Sequence, residues 1–320
     1  MPPNRRESAR RRRRDAVLGA LPDPAPDPAA DPPSAVRPGA YAGTVLDASP
    51  HLLVLATPDG EVRLPLSDRT SVWHGGDGDS AALRPGRTAV ARPHRGRPGT
   101  DRVWIDPVRV SGTILSAAPT AVDVDLGPHR GVVQVAVPPH VYAQIRVRHP
   151  RLEPGYLFDA VCVRSPGGPV AVAPGTSQPG HRADARTDLE PDAAVPTESH
   201  GTATWFDGGD APGAAYPAVD AEGDAGGCAD APRGCVPLPV LSIGSAVTVH
   251  NSCTGRTARV PVTECGCVAA RYCDRCVQCG TSPRGRLIEL TPVAFAALGG
   301  DLDKGCFNAI LRHDRGTRRW

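Results

Sequence analysis

The sequence has little aromatic character: Phe, Trp and Tyr together make 4% of its 320 residues, and Met1 is its only methionine. Lysine is almost missing too, since Lys304 stands alone among 36 Lys and Arg residues. No run approaches the ~20 apolar residues of a membrane-spanning helix, so no transmembrane segment is expected. A net charge of +2 is too small to mark the whole chain as a nucleic-acid protein, and no nucleic-acid partner is expected. After the basic run Arg10 to Arg14, only Ala16 to Leu21 precedes Pro22. That is shorter than the apolar stretch of about 7–15 residues in a secretory signal.

Proline (36) and glycine (35) are abundant, and long helices tolerate neither well, so β-rich modules are expected. Cysteine is concentrated: apart from Cys162, every one lies between Cys228 and Cys306. That density points to a disulfide framework and an oxidising compartment. A start codon assigned at the wrong place would remove a signal peptide without touching this domain. The expected location is therefore extracellular or in the cell envelope.

Residues 1–38 read as a disordered Arg/Pro-rich tail, because alternating Pro, Asp and Ala bury no core. An internal repeat follows. Gly43-Thr44-Val45-Leu46 recurs as Gly112-Thr113-Ile114-Leu115, and Pro50 recurs as Pro119. Leu83-Arg84-Pro85-Gly86 likewise recurs as Leu152-Glu153-Pro154-Gly155, always at an offset of 69 residues. Each unit, 39–109 and 110–175, reads as about five short strands with Pro/Gly turns, which suits a small closed barrel. The pattern resembles small OB-like repeats of bacterial envelope proteins. Trp73, Trp104, His74 and His94 are read as packing rather than as a binding face, and a spacer or scaffold role is expected for both units. Residues 176–199 read as a disordered linker.

Residues 200–314 carry the chemistry. An alternating strand, Gly201 to Phe206, opens the segment, and Leu287 to Leu290 is another. Thr291 then Pro292 start a short helix that Gly299 ends. The order of these pieces resembles the double-psi β-barrels of rare lipoprotein A, bacterial expansins and related secreted proteins. The resemblance rests on Gly201-x-Ala203-Thr204-Trp205-Phe206, Gly244 before Val247-Thr248-Val249, and Thr254-Gly255-Arg256. It rests further on Val262-Thr263-Glu264 and on Arg286 to Pro292 with Ala294-Phe295. The fold class expected is thus all-β: two small OB-like barrels, then a six-stranded double-psi barrel with a short helix.

The resemblance implies cell-wall polysaccharide as partner and places two acids in the groove, here Glu264 and Glu289. Paired carboxylates are what glycoside cleavage needs, one as acid and one as base or nucleophile. In those families both are usually aspartate, and the longer glutamate shifts its carboxylate by about an ångström, a distance at which geometry matters. Cys265-Gly266-Cys267 stands where Arg-Gly-Pro is common, and Leu238 lies near the place of a histidine found in lytic members. Non-hydrolytic binding or remodelling of peptidoglycan-type wall is therefore the expectation. A lytic transglycosylase or glycosidase using Glu264 and Glu289 is the alternative, and a secreted protein-binding or protease-inhibitor module the second. Thr204, Trp205 and Phe206 are candidate sugar contacts, with strand alternation sending only one of the two aromatics to the groove.

Cys265, Cys267, Cys273, Cys276 and Cys279 form C-x-C-x5-C-x2-C-x2-C, and part of that spacing could hold zinc. With Cys228, Cys235, Cys253 and Cys306 nearby, disulfides stapling the insertion between the two acids are preferred, with connectivity open. No metal or cofactor is expected.

Overall fold

The computed structural model describes residues 39–76, 78, 80–185, 196–220, 234–277 and 283–313. The expected N-terminal tail, Cys228, Cys279 and the centre of the expected linker lie outside the described residues.

The first repeat folds as β1 (Tyr41–Ser49), β2 (Leu52–Thr57), β3 (Gly60–Pro65), β4 (Ser71–Trp73), β5 (Thr88–Pro93) and β6 (Thr100–Ile105). The second holds β7 (Pro107–Ala118), β8 (Ala121–Asp125), β9 (Val132–Ala136), α1 (Pro139–Arg148), β10 (Leu157–Ser165) and β11 (Gly168–Pro174). The repeat reaches down to single hydrogen bonds. The Gly86 amide donates to the Val45 carbonyl, and 69 residues on the Gly155 amide donates to that of Ile114. Gly43 and Gly112 are glycines for one reason: a Cβ at either would collide with the carbonyl oxygen of Ala56 or of Asp125 on the paired strand. Both strands shift register just beyond, at Val45/Asp47 and Ile114/Ser116, so the two units bend alike.

The units differ in closure. The second closes as β10-β11-β9-β8-β7 through a parallel contact of Val170 with Ala136. The first corrects the expectation of two barrels, because it is a six-stranded sheet in the order β3-β2-β1-β5-β6-β4 with β3 and β4 as edges. The physical reason lies between the third and fourth matched strands. There the second unit has α1, which plugs the barrel with buried Val141 and Ile145, and the first has only β4 and a short 3-10 turn.

The last region contains β12 (Glu198–Trp205), β13 (Ala214–Tyr216), β14 (Ala246–Asn251), β15 (Arg256–Cys265), β16 (Arg286–Leu290), α2 (Pro292–Ala297) and β17 (Cys306–Arg312). These strands close as β12-β16-β13-β15-β14-β17, with β12–β16 and β13–β15 parallel. Parallel neighbours in so small a barrel require crossing connections, the arrangement the strand order implies. α2 ends as its punctuation suggests, with Gly299 at φ +83°. Thr291 does not cap the helix with its hydroxyl, which instead accepts from the Gly213 amide.

The three regions do not stand apart as modules on tethers. The described residues from Gly39 onward form one compact unit, and a single apolar cluster runs from Ala40, Trp73 and Trp104 through Val161 into the six-stranded barrel. Trp104 is fully buried, donates its indole N–H to Asp303 at 2.7 Å, and has the guanidiniums of Arg92 and Arg102 at 5.2 and 5.6 Å from its ring centre. The start of the expected linker also packs: Thr176 and Gln178 are buried, and Ser177 pairs with Arg275.

Candidate functional site

Register builds the site. β12 pairs Thr204 with Glu289 of β16, β13 pairs Ala215 with that same Glu289, and its other edge pairs Ala215 with Glu264 of β15. Paired residues share a face, so Thr204, Glu289, Ala215 and Glu264 form one row across four neighbouring strands. Their chain neighbours Ala203, Trp205, Ile288, Leu290, Ala214 and Tyr216 point the other way, into the core. The small Ala215 between the two glutamates leaves a slot with a carboxylate on either side.

That slot is filled. Arg130, from the turn joining β8 to β9, pairs its Nη2 with Glu264 Oε1 and sets its Nη1 3.7 Å from Glu289 Oε2. Its guanidinium lies 4.3 Å from the centre of the Phe206 ring, a cation over an aromatic face. Glu289 is 1% exposed, and its other oxygen accepts from Arg286 Nη1 at 2.8 Å and from the Ser111 hydroxyl at 3.3 Å. The Glu264 side chain is 39% exposed.

Behind the slot lies a buried ion network. Arg286 bonds Asp274 through Nε and Nη2 at 3.0 and 2.6 Å and reaches Asp159 at 2.6 Å, while its guanidinium stacks 3.7 Å from the Tyr272 ring centre. Arg109 bonds Asp159 at 2.7 Å and the Gly305 carbonyl. Burial would raise the Asp159 pKa, but the guanidiniums of Arg109 and Arg286 outweigh it and hold this carboxyl at about 2. Burial also lowers the pKa of His149, whose ring touches the Thr176 carbonyl, against the pull of Asp159 and Asp274.

The sequence-predicted residues thus meet in part. Glu264, Glu289, Thr204 and Phe206 gather around one slot. Trp205 does not: it is buried in the core with its N–H donated to Leu302. Thr204 and Phe206 are buried at 0% and 2% exposure, so in this arrangement neither offers an open face to a sugar. Arg130, Ser111, Arg286, Asp274, Asp159 and Arg109 escaped sequence reasoning. Only Arg286 lay in a block singled out, and its partner Asp159 is 127 residues away.

The insertion between the acids docks on the second barrel. The Tyr272 hydroxyl donates to the Phe158 carbonyl, and Arg271 reaches the Thr113 hydroxyl. Beside the slot a cleft of about 520 Å³ opens on the five-stranded barrel, with Arg130 in its wall and Asp207 of the last region, paired with Arg164, at its edge.

Cys235 and Cys273 form a disulfide with Cα atoms 5.3 Å apart, tying the insertion to the segment before β14. Cys253, Cys265 and Cys267 are disulfide-bonded as well. The Cys306 thiol donates to the Cys276 sulfur at 3.1 Å. Cys162 is a buried thiol of β10, and burial raises its pKa. Among the described residues no group of three or more His, Cys, Asp or Glu is placed to hold a metal ion.

No protein-family model matches the chain, and no curated protein is similar to it.

Proposed function

We propose that this protein binds cell-wall polysaccharide along the row Thr204–Glu289–Ala215–Glu264 and does not cleave it. The support comes from the resemblance in the strands that carry the row and from the row itself, a polar floor with an aromatic at its end. Such a floor suits hydroxyl-rich ligands, which are recognised by a few placed polar groups beside an apolar face. Against cleavage stands the pairing of the acids. A glycosidase pair flanks the scissile bond and leaves one carboxyl to donate a proton and the other to reach water or the anomeric carbon. Here Glu289 is enclosed, with both oxygens turned to guanidiniums.

The test is co-sedimentation of the full-length protein with insoluble peptidoglycan and with cellulose, assaying the supernatant for released reducing ends or anhydro-sugar. Retention without release supports the reading. Release abolished by Glu264→Gln or Glu289→Gln would replace it with the glycan-cleaving alternative. A protein left in solution by both polymers would refute it. The full chain is required, because removing the first 198 residues would strip Arg130, Ser111 and Asp159 from their partners.

A further inference from the structure

We infer that the slot between Glu264 and Glu289 is a cation subsite, and that the polysaccharide it takes carries protonated primary amines, as a de-N-acetylated amino-sugar polymer does. The inference rests on the glycan-binding reading above and names its ligand class.

Three observations carry it. First, the slot already holds a cation. The Arg130 guanidinium sits between two carboxylates and over the face of Phe206, which together are the elements of an ammonium-binding site. Second, charge within this chain of contacts is short on the positive side. Among the described residues the salt-bridge partners of Asp159, Asp274, Glu264 and Glu289 are Arg109, Arg130 and Arg286, and without Arg130 two guanidiniums remain for four carboxylates. A neutral or anionic ligand entering in place of Arg130 would leave Glu264 without its guanidinium and Glu289 with Arg286 as its one close guanidinium among the described residues, whereas an ammonium restores the balance. Third, the Thr204 hydroxyl, level with Glu289 in the same row, is fully buried and has no hydrogen-bond partner among the described residues. An unpaired buried hydroxyl costs stability, and a sugar hydroxyl or amine beside Glu289 would satisfy it.

Arg130 is placed to leave. It belongs to the turn from Gly127 to Gly131, whose two glycines have φ of +97° and +71°. The turn is held by amide bonds from Arg130 and Gly131 back to the Gly127 carbonyl. The Arg130 side chain is 24% exposed and lines the adjoining cleft, into which it can swing from its turn. Arg130 thus acts as a tethered competitor that a stronger or multivalent cation displaces.

The test is isothermal titration at low salt of wild type, Arg130→Ala, Arg130→Gln and Arg130→Ala/Glu264→Gln. The probes are a glucosamine hexamer, an N-acetylglucosamine hexamer and hexalysine. Removing a competitor seated nine-tenths of the time tightens apparent affinity about tenfold. The glucosamine hexamer is therefore expected to bind both Arg130 variants about tenfold more tightly than wild type, and to lose that gain when Glu264→Gln is added. Arg130→Gln keeps a polar, hydrogen-bonding side chain without the charge, so it decides the matter if Arg130→Ala lowers the melting temperature. Equal tightening for the acetylated hexamer, or none for the amino form, would overturn the cation subsite. Retention on insoluble wall would then still stand and leave the glycan reading intact. Preference for hexalysine would overturn the glycan class in favour of a basic peptide. Failure of every probe together with failure to sediment with wall polymers would refute both.

Discussion

Replacing Arg286 with Met is the sharpest perturbation the fold offers. Its guanidinium serves three buried carboxylates, and the side chains of Arg286, Asp159 and Asp274 are all fully enclosed. The losses are unequal. Asp159 keeps Arg109, and Glu289 keeps Ser111 and Arg130, but the Asp274 carboxylate is hydrogen-bonded by Arg286 alone among the described residues. Breaking one buried pair costs about 3–5 kcal/mol, because a charge is left without compensation. Against a total stability of about 5–15 kcal/mol that is a large share. With a urea slope of about 3 kcal/mol/M, the midpoint should fall by more than about 1 M, followed by tryptophan fluorescence. Arg286→Lys should recover only part, since an ammonium cannot make the forked bonds to Asp274 and Asp159. Adding Asp274→Asn to Arg286→Met should restore stability, because it removes the stranded charge. A loss under about 1 kcal/mol for Arg286→Met, or an Asp274→Asn that deepens the loss, would show that the network is not what holds this seam.

Gly43→Ala and Gly112→Ala should each destabilise by about 1–3 kcal/mol, since a Cβ has nowhere to go but into a carbonyl oxygen. Gly76→Ala, where a Cβ meets open space, should change the urea midpoint little. Trp104→Ala should cost about 3–5 kcal/mol by differential scanning calorimetry, and more than Trp104→Phe, which gives up chiefly the bond to Asp303. Stability should also fall with acid in two stages. The His149 pKa is lower in the folded state than its ordinary 6.5, so the unfolded chain takes up the proton first and stability declines as pH drops below about 6.5. Asp159, held at about 2 against an ordinary 3.8, contributes about 2 kcal/mol above pH 4 that is lost as pH falls from about 4 to 2. Melting temperatures across that range test both stages, and Asp159→Asn should remove the lower one.

Local pattern carried the strands well and the seams badly. The 69-residue offset extends down to the matching hydrogen bonds Gly86 to Val45 and Gly155 to Ile114, because both units open on the same bulged hairpin and return to it through the same turn. α1 was missed for a physical reason. Val141, Ala143, Ile145 and Val147 alternate as a half-buried strand would, yet only Val141 and Ile145, four apart on one helical face, are buried, and Val147 is 78% exposed. Glu264 and Glu289 could be found because each sits in a recognisable strand. Arg130 could not, since nothing in Gly127 to Gly131 distinguishes it from an ordinary turn until the chain 134 residues later folds against it. The same holds for Trp104 and Asp303, 199 residues apart, whose contact turns an apparent spacer into part of the core.

These long-range contacts decide how the slot can open. Separating the five-stranded barrel from the six-stranded one would break Arg109 from Gly305, Arg286 from Asp159, and the Tyr272 hydroxyl from Phe158, and would open a buried ion network to water. That cost falls on any ligand that must part the barrels, and a binding energy of several kcal/mol would be consumed before a new contact formed. Moving the Arg130 side chain breaks only its own ion pairs, one of them to a carboxylate already 39% exposed. Opening by the turn is therefore favoured over opening by the seam. The ion network behind the slot then acts as a fixed wall that holds Glu289 in place while Arg130 comes and goes.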